Sequence, residues 1–93
     1  MRTVKQTAAF KKCLKRMMAG RYRAVILEEL PLIVEMLAND IDLPDRYQDH
    51  ALAGDWLGHG ECHIRPDLLL VYKKIGDDKL YLVEIGSHSE IFG

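Results

Sequence analysis

From Ala8 to Ala19, the apolar residues Phe10, Cys13, Leu14 and Met17 recur at i, i+3, i+4 and i+7. That is the spacing of one helical face. Lys11, Lys12, Lys15 and Arg16 fall on the opposite side. Thr7 stands where a side-chain oxygen can cap the first turn, and Gly20 where a helix commonly ends. A second helical pattern runs from Tyr22 to Ala38, with Val25, Ile26, Leu30, Ile33 and Leu37 on a broad apolar face. Pro31 interrupts it, and a proline lacks one backbone donor and crowds the preceding turn, so a kink or a restart is expected there. Asn39 and Asp40 close this helix.

The last third of the chain changes period. An extended segment is predicted from Trp56 to Ile64, with Trp56, Cys62 and Ile64 on one face and Leu57, His59, Glu61 and His63 on the other. Arg65-Pro66-Asp67 reads as a turn. Leu68–Tyr72 is a continuous apolar strand, Lys74–Lys79 contains the hairpin connection Gly76-Asp77-Asp78, and Leu80–Ile85 is a further strand. Arg2–Lys5 has the character of an edge strand, and Ile41–Asp49 that of a loop. The predicted order is strand, helix, helix, strand, strand, strand. This is an α+β fold in which two N-terminal helices pack on a small antiparallel sheet, within one domain spanning residues 1–93.

Composition narrows the class. With 93 residues, 48% hydrophobic and 29% charged, the chain matches a globular domain rather than a disordered one. No apolar run reaches the ~18–20 residues of a membrane span. The start, MRTVKQTAAFKK, lacks the apolar stretch of a signal peptide, so a cytoplasmic protein without membrane association is expected. Cys13 and Cys62 form neither a disulfide framework nor a zinc quartet and are expected as small buried side chains.

The net charge of −1 conceals an asymmetry. Residues 1–24 carry eight Lys and Arg and no acid, whereas the remaining 69 residues hold five basic residues against fourteen acidic ones. A basic segment of this kind is either a solvated helix face or the footprint of a polyanion.

Four histidines, at 50, 59, 63 and 88, are the main candidate chemistry. His59 and His63 on one strand would stand roughly 13 Å apart at ~3.3 Å per residue, too far for one metal. His63 and Asp67 flank a tight turn, where a carboxylate can fix an imidazole tautomer. His50 precedes the long strand and His88 follows the last one, so a meander can bring both to one rim. Trp56 is expected in the sheet packing. Phe92 either plugs the core or stacks on a base. The chain has no Walker loop, GxGxxG, GxSxG or CxxC, which removes the mechanisms those motifs serve.

Asp49-His50-Ala51-Leu52-Ala53-Gly54-Asp55-Trp56, Glu61-Cys62-His63-Ile64-Arg65-Pro66-Asp67, Leu68–Tyr72 and Gly86-Ser87-His88-Ser89-Glu90-Ile91-Phe92 together resemble toxins of the RelE/ParE superfamily, within it the YafQ-like branch. The resemblance covers about half of the chain. It implies a small sheet with two N-terminal helices and the activity of a ribosome-dependent endoribonuclease that cuts mRNA in the ribosomal A site. It also implies a cognate antitoxin in a hetero-oligomer and neither metal nor organic cofactor. The family's catalytic positions correspond to His50, His63, Asp67, His88 and Phe92. On this basis His50 and His88 are expected to form the acid–base pair, with Asp67 the alternative base, His63 orienting the phosphate and Phe92 positioning a base. Lys11, Lys12, Lys15, Arg16 and Arg65 are the expected contacts to RNA and the ribosome.

The chain departs from the family pattern at Gly60 and Glu84, where arginines are usual, and at Leu68, where tryptophan is frequent. Loss of one cation and inversion of another weaken support for a phosphate. Two alternatives to a fully active nuclease therefore stand: a weak or inactive toxin-fold protein acting through antitoxin binding, and a ParE-like gyrase inhibitor.

Overall fold

Thr7 joins the first strand to the first helix through both of its side-chain hydrogen-bonding roles. Its hydroxyl accepts the Phe10 N–H at 3.0 Å, capping the helix, and donates to the Val83 carbonyl at 2.7 Å on a strand far away in sequence. The computed structural model, which describes residues 1–93, places around this junction β1 (Thr3–Gln6), α1 (Ala8–Met18), α2 (Arg23–Ala38), β2 (His50–Ala51), β3 (Gly60–Arg65), β4 (Leu68–Ile75), β5 (Lys79–Gly86) and α3 (His88–Phe92). Single 3₁₀ turns lie at Asp45–Tyr47 and Gly54–Trp56.

The sheet has five strands in the order β1-β5-β4-β3-β2. Neighbours run antiparallel except β1 and β5, which pair in parallel from Thr3 opposite Lys79 to Gln6 opposite Leu82. The sheet is therefore mixed, which corrects the expected antiparallel one. The fold remains α+β, but it has three helices and a fifth strand, and the order is β-α-α-β-β-β-β-α. Strand direction depends on where the intervening chain delivers each strand, a long-range property absent from local alternation.

One face of the sheet meets α1 and α2. Cys62, Ile64, Leu68, Leu70, Leu80, Leu82 and Ile85 join Phe10, Ile26, Leu30, Ile33 and Leu37 in a cluster of 16 buried residues. α2 passes through Pro31 as one continuous helix, with no restart. Leu27 and Pro31 both lie on the exposed face. Water can therefore take the carbonyl that a residue with an N–H at 31 would have satisfied.

The segment before β3 also differs from expectation. Trp56 closes a 3₁₀ turn instead of opening a strand, and the chain reverses through Gly58 at φ 90°. The Leu52 N–H donates to the His59 carbonyl, and the His59 N–H to that of Trp56. β3 begins only at Gly60, so His59 and His63 do not share a strand face. Gly60 is required sterically: a Cβ there would overlap the Tyr72 ring, which crosses it to donate to Asp49 at 2.5 Å. Position 60 therefore has no room for a cationic side chain facing a phosphate.

Candidate functional site

The register assembles the site on the face of the sheet opposite α1 and α2. His50 pairs with Glu61, Glu61 with Val71, and Val71 with Glu84, one row across four strands. The neighbouring row is His63, Leu69 and Gly86. Paired residues in antiparallel strands project to the same face, so His50, Glu61, His63 and Glu84 share one surface.

Glu61 is buried between the two imidazoles. Its Oε2 lies 3.1 Å from His50 Nε2, and its Oε1 lies 3.8 Å from His63 Nε2. The two rings are 6.2 Å apart at 37°. His50 Nδ1 is 2.7 Å from the Gln48 carbonyl, where the backbone takes a left-handed turn at φ 48°. Both nitrogens of His50 thus face acceptors. The imidazolium donates two hydrogen bonds here and the neutral ring only one. Glu61 was not among the sequence candidates, although its place two residues before His63 on a strand was signal enough to put both on one face.

A second group lies beside α3. Ser87 caps this helix, accepting the Glu90 N–H while the Glu90 carboxylate accepts the Ser87 N–H, a reciprocal box readable in the sequence as S-x-x-E. The cap presents His88 and Phe92 one turn apart, with ring centroids 5.0 Å from each other. Phe92 meets Trp56 edge-on at 5.3 Å, and Trp56 meets His59 in the same manner. Phe92 is half-buried against Trp56, outside the main core. No contact joins His88 to His50.

Asp67 stands apart from His63. Its exposed carboxylate accepts from Arg21 at 2.8 Å, and the Tyr22 hydroxyl beside it, together with Arg21, holds it below the usual carboxylate range. Asp67 thereby ties the β3–β4 turn to the α1–α2 junction. Of the expected cationic contacts, Lys11, Lys12 and Lys15 are exposed along α1 without acidic partners, whereas Arg16 pairs with Glu90 at 2.9 Å. Arg65 pairs with the buried Glu29 of α2, which also accepts the Tyr47 hydroxyl. Beneath the site, burial pushes the Cys62 thiol up to about 12. No three His, Cys, Asp or Glu side chains converge in a way that would hold a metal ion. Two imidazoles bracketing a buried carboxylate are suited to proton transfer.

Fold and site together define a small α+β protein in which His50 and His63 share one sheet face and His88 stands on the helix that follows. The chain belongs to the family described as bacterial toxin of type II toxin–antitoxin system, YafQ, whose model matches residues 2–93. It is similar to the mRNA interferase toxin YafQ of Escherichia coli K12, 37% identical over 62 residues that span 67% of this chain and 66% of that one. It is also similar in structure to a copper-bound mutant toxin from Helicobacter pylori, with TM-score 0.84 and 38% identity over 99% of this chain and 100% of that one. The YafQ chain of the E. coli DinJ–YafQ toxin–antitoxin complex matches with TM-score 0.83 and 30% identity over 99% of this chain and 98% of that one.

Proposed function

We propose that residues 1–93 form one toxin unit that cleaves mRNA on the ribosome and is neutralised by a cognate antitoxin in a cytoplasmic hetero-oligomer. The observation that carries this reading is the His50–Glu61–His63 group on a family fold whose E. coli relative is an mRNA interferase. In the reaction, the RNA 2′-oxygen attacks the adjacent phosphorus and the P–O5′ bond breaks, leaving a 2′,3′-cyclic phosphate and a 5′-hydroxyl. One proton leaves the 2′-hydroxyl and one reaches the departing 5′-oxygen. His50, whose two nitrogens both face acceptors, holds the proton for the 5′-oxygen. His88 takes the one from the 2′-hydroxyl. His63 faces the phosphate, Phe92 stacks on a base, and Lys11, Lys12 and Lys15 engage ribosomal RNA. Asp67, held by Arg21 and Tyr22, keeps the rim in place and is the alternative base.

Glu84 favours a second reading, a toxin-fold protein that binds antitoxin with little cleavage. It stands one strand beyond Val71 in the Glu61 row, a half-buried carboxylate without a cationic partner on a surface that would receive phosphate. Mapping mRNA ends after adding purified protein to translating ribosomes distinguishes the readings. Cleavage by the wild type that is lost in His50→Ala supports the nuclease. Cleavage only by Glu84→Arg identifies an attenuated one, and cleavage by neither supports the binding protein.

A further inference from the structure

Next to His63 the surface opens into a cavity of about 430 Å³ in which only His63 belongs to the catalytic scheme, lined among others by Arg46, Tyr47, Gln48, His63 and Arg65. The Arg46 guanidinium lies over the Tyr47 ring, 4.6 Å from its centroid, and donates to the Tyr47 hydroxyl at 2.8 Å. Arg65 is held by the Ile64 carbonyl and by Glu29. Glu29, the one carboxylate that both guanidiniums approach, is buried behind them on α2 and sits 3.9 Å from Arg46. Asp42, Asp45 and Asp49 line a separate depression.

Two guanidiniums thus line the cavity, with Glu29 behind them and Glu61 behind His63 as buried carboxylates. Each guanidinium has five N–H groups, of which Arg46 commits one to a hydrogen bond and Arg65 two. The rest remain available to an anion, and a planar fork suits the oxygens of a phosphate. His63 lines the cavity and also faces Glu61, so the cavity and the His50–Glu61–His63 group share a wall. Gln48 joins them again, since its carbonyl holds His50 while its residue lines the cavity.

We infer that this cavity is a nucleic-acid phosphate subsite, in which Arg46 and Arg65 hold a backbone phosphate next to the one cleaved. The inference rests on the nuclease reading above for the adjoining scissile linkage, while the anion binding itself does not. The phosphate belongs either to the cleaved strand or to ribosomal RNA, which carry the same chemistry. Arg46 is the residue to change, because its side chain is 68% exposed and its removal leaves the Arg65–Glu29 pair intact.

The test compares wild type with Arg46→Gln, after thermal melting has shown equal stability. Binding is measured to a labelled oligoribonucleotide carrying 2′-O-methyl groups throughout, which cannot be cleaved, and separately to vacant ribosomes, each over a range of salt. Arg46→Gln is expected to bind about tenfold more weakly and to lower the salt slope by about one. Inorganic phosphate should shift the backbone amide resonances of residues 46, 63 and 65 in wild type and spare them in the variant. Weakening with the oligonucleotide assigns the phosphate to the cleaved strand, and weakening with ribosomes alone assigns it to ribosomal RNA. Equal affinity and equal salt slope on both ligands overturn the subsite. A wild type that does not cleave, yet binds the oligonucleotide through Arg46, overturns the nuclease reading and keeps the subsite.

Discussion

The Nε2 of His50 lies 3.1 Å from the Oε2 of Glu61, a buried carboxylate that also faces His63. His50 is on a two-residue edge strand, and the only backbone partner of that strand is β3. The carboxylate at Nε2 and the Gln48 carbonyl at Nδ1 therefore fix a ring carried on a short exposed strand. Glu61→Gln keeps the shape and removes the charge. Cleavage should fall roughly 10–100-fold, mainly in kcat, whereas His50→Ala should lose about 10²–10⁴-fold. Single-turnover rates on programmed ribosomes measure both, and an undiminished Glu61→Gln rate would reduce the pair to a structural contact.

Glu29 ties stability to pH. The Arg65 guanidinium holds its carboxyl below the ordinary glutamate value of 4.5, against the upward push of burial, and the Tyr47 hydroxyl adds to the lowering. A carboxyl whose folded value is depressed contributes stability in full above its unfolded value. That contribution is lost as pH falls through the folded one. Thermal melts of wild type should therefore weaken from about pH 4.5 downward. Glu29→Gln should be less stable near neutrality by about 1.5–3 kcal/mol and show a flatter acid limb.

Gly60 is a steric requirement of the Tyr72–Asp49 bond. Gly60→Ala should cost about 1–3 kcal/mol, because the Tyr72 ring must leave its place over β3. The penalty should largely disappear in a Tyr72→Ala background, where no ring remains to collide. Urea unfolding of the wild type, the two single variants and the double variant reads this coupling directly. Gly60→Arg should likewise destabilise the fold and give no gain in cleavage.

The two cysteines should separate chemically. Cys62 is fully buried with its thiol pushed up to about 12 by that burial, whereas Cys13 is only half-buried on α1. The thiolate is the reactive form, so at pH 7.5 a disulfide reagent should modify Cys13 in the folded protein and reach Cys62 only on unfolding. Two rapidly reacting thiols in the native state would show that β3 opens readily.

Much of the architecture is local and was legible. The i, i+3, i+4 and i+7 pattern places α1 at Ala8–Met18, one residue short of expectation, and the apolar face of α2 points to the core as its spacing requires. The β4–β5 hairpin follows from the Gly76-Asp77-Asp78 turn between two apolar runs. Trp56 was misplaced on a strand, because period-2 alternation continues through a segment where Gly58 reverses the chain. α3 is too short for apolar periodicity to mark it, and its one local signal is the capping box of Ser87 and Glu90.

The sequence by itself determined the residue types available for chemistry and the elements that carry them: four histidines, a basic first helix and an apolar alternation that buries one face of a sheet. These depend on spacings of a few residues, which the chain expresses wherever it folds. Tertiary structure alone decided that β1 runs parallel to β5, that His50 of β2 meets Glu61 of β3, and that Arg46 and Arg65 open onto one cavity. Each of these joins residues from different elements. Their relative placement is set by strand register and by how the helices pack, which no short window of sequence contains.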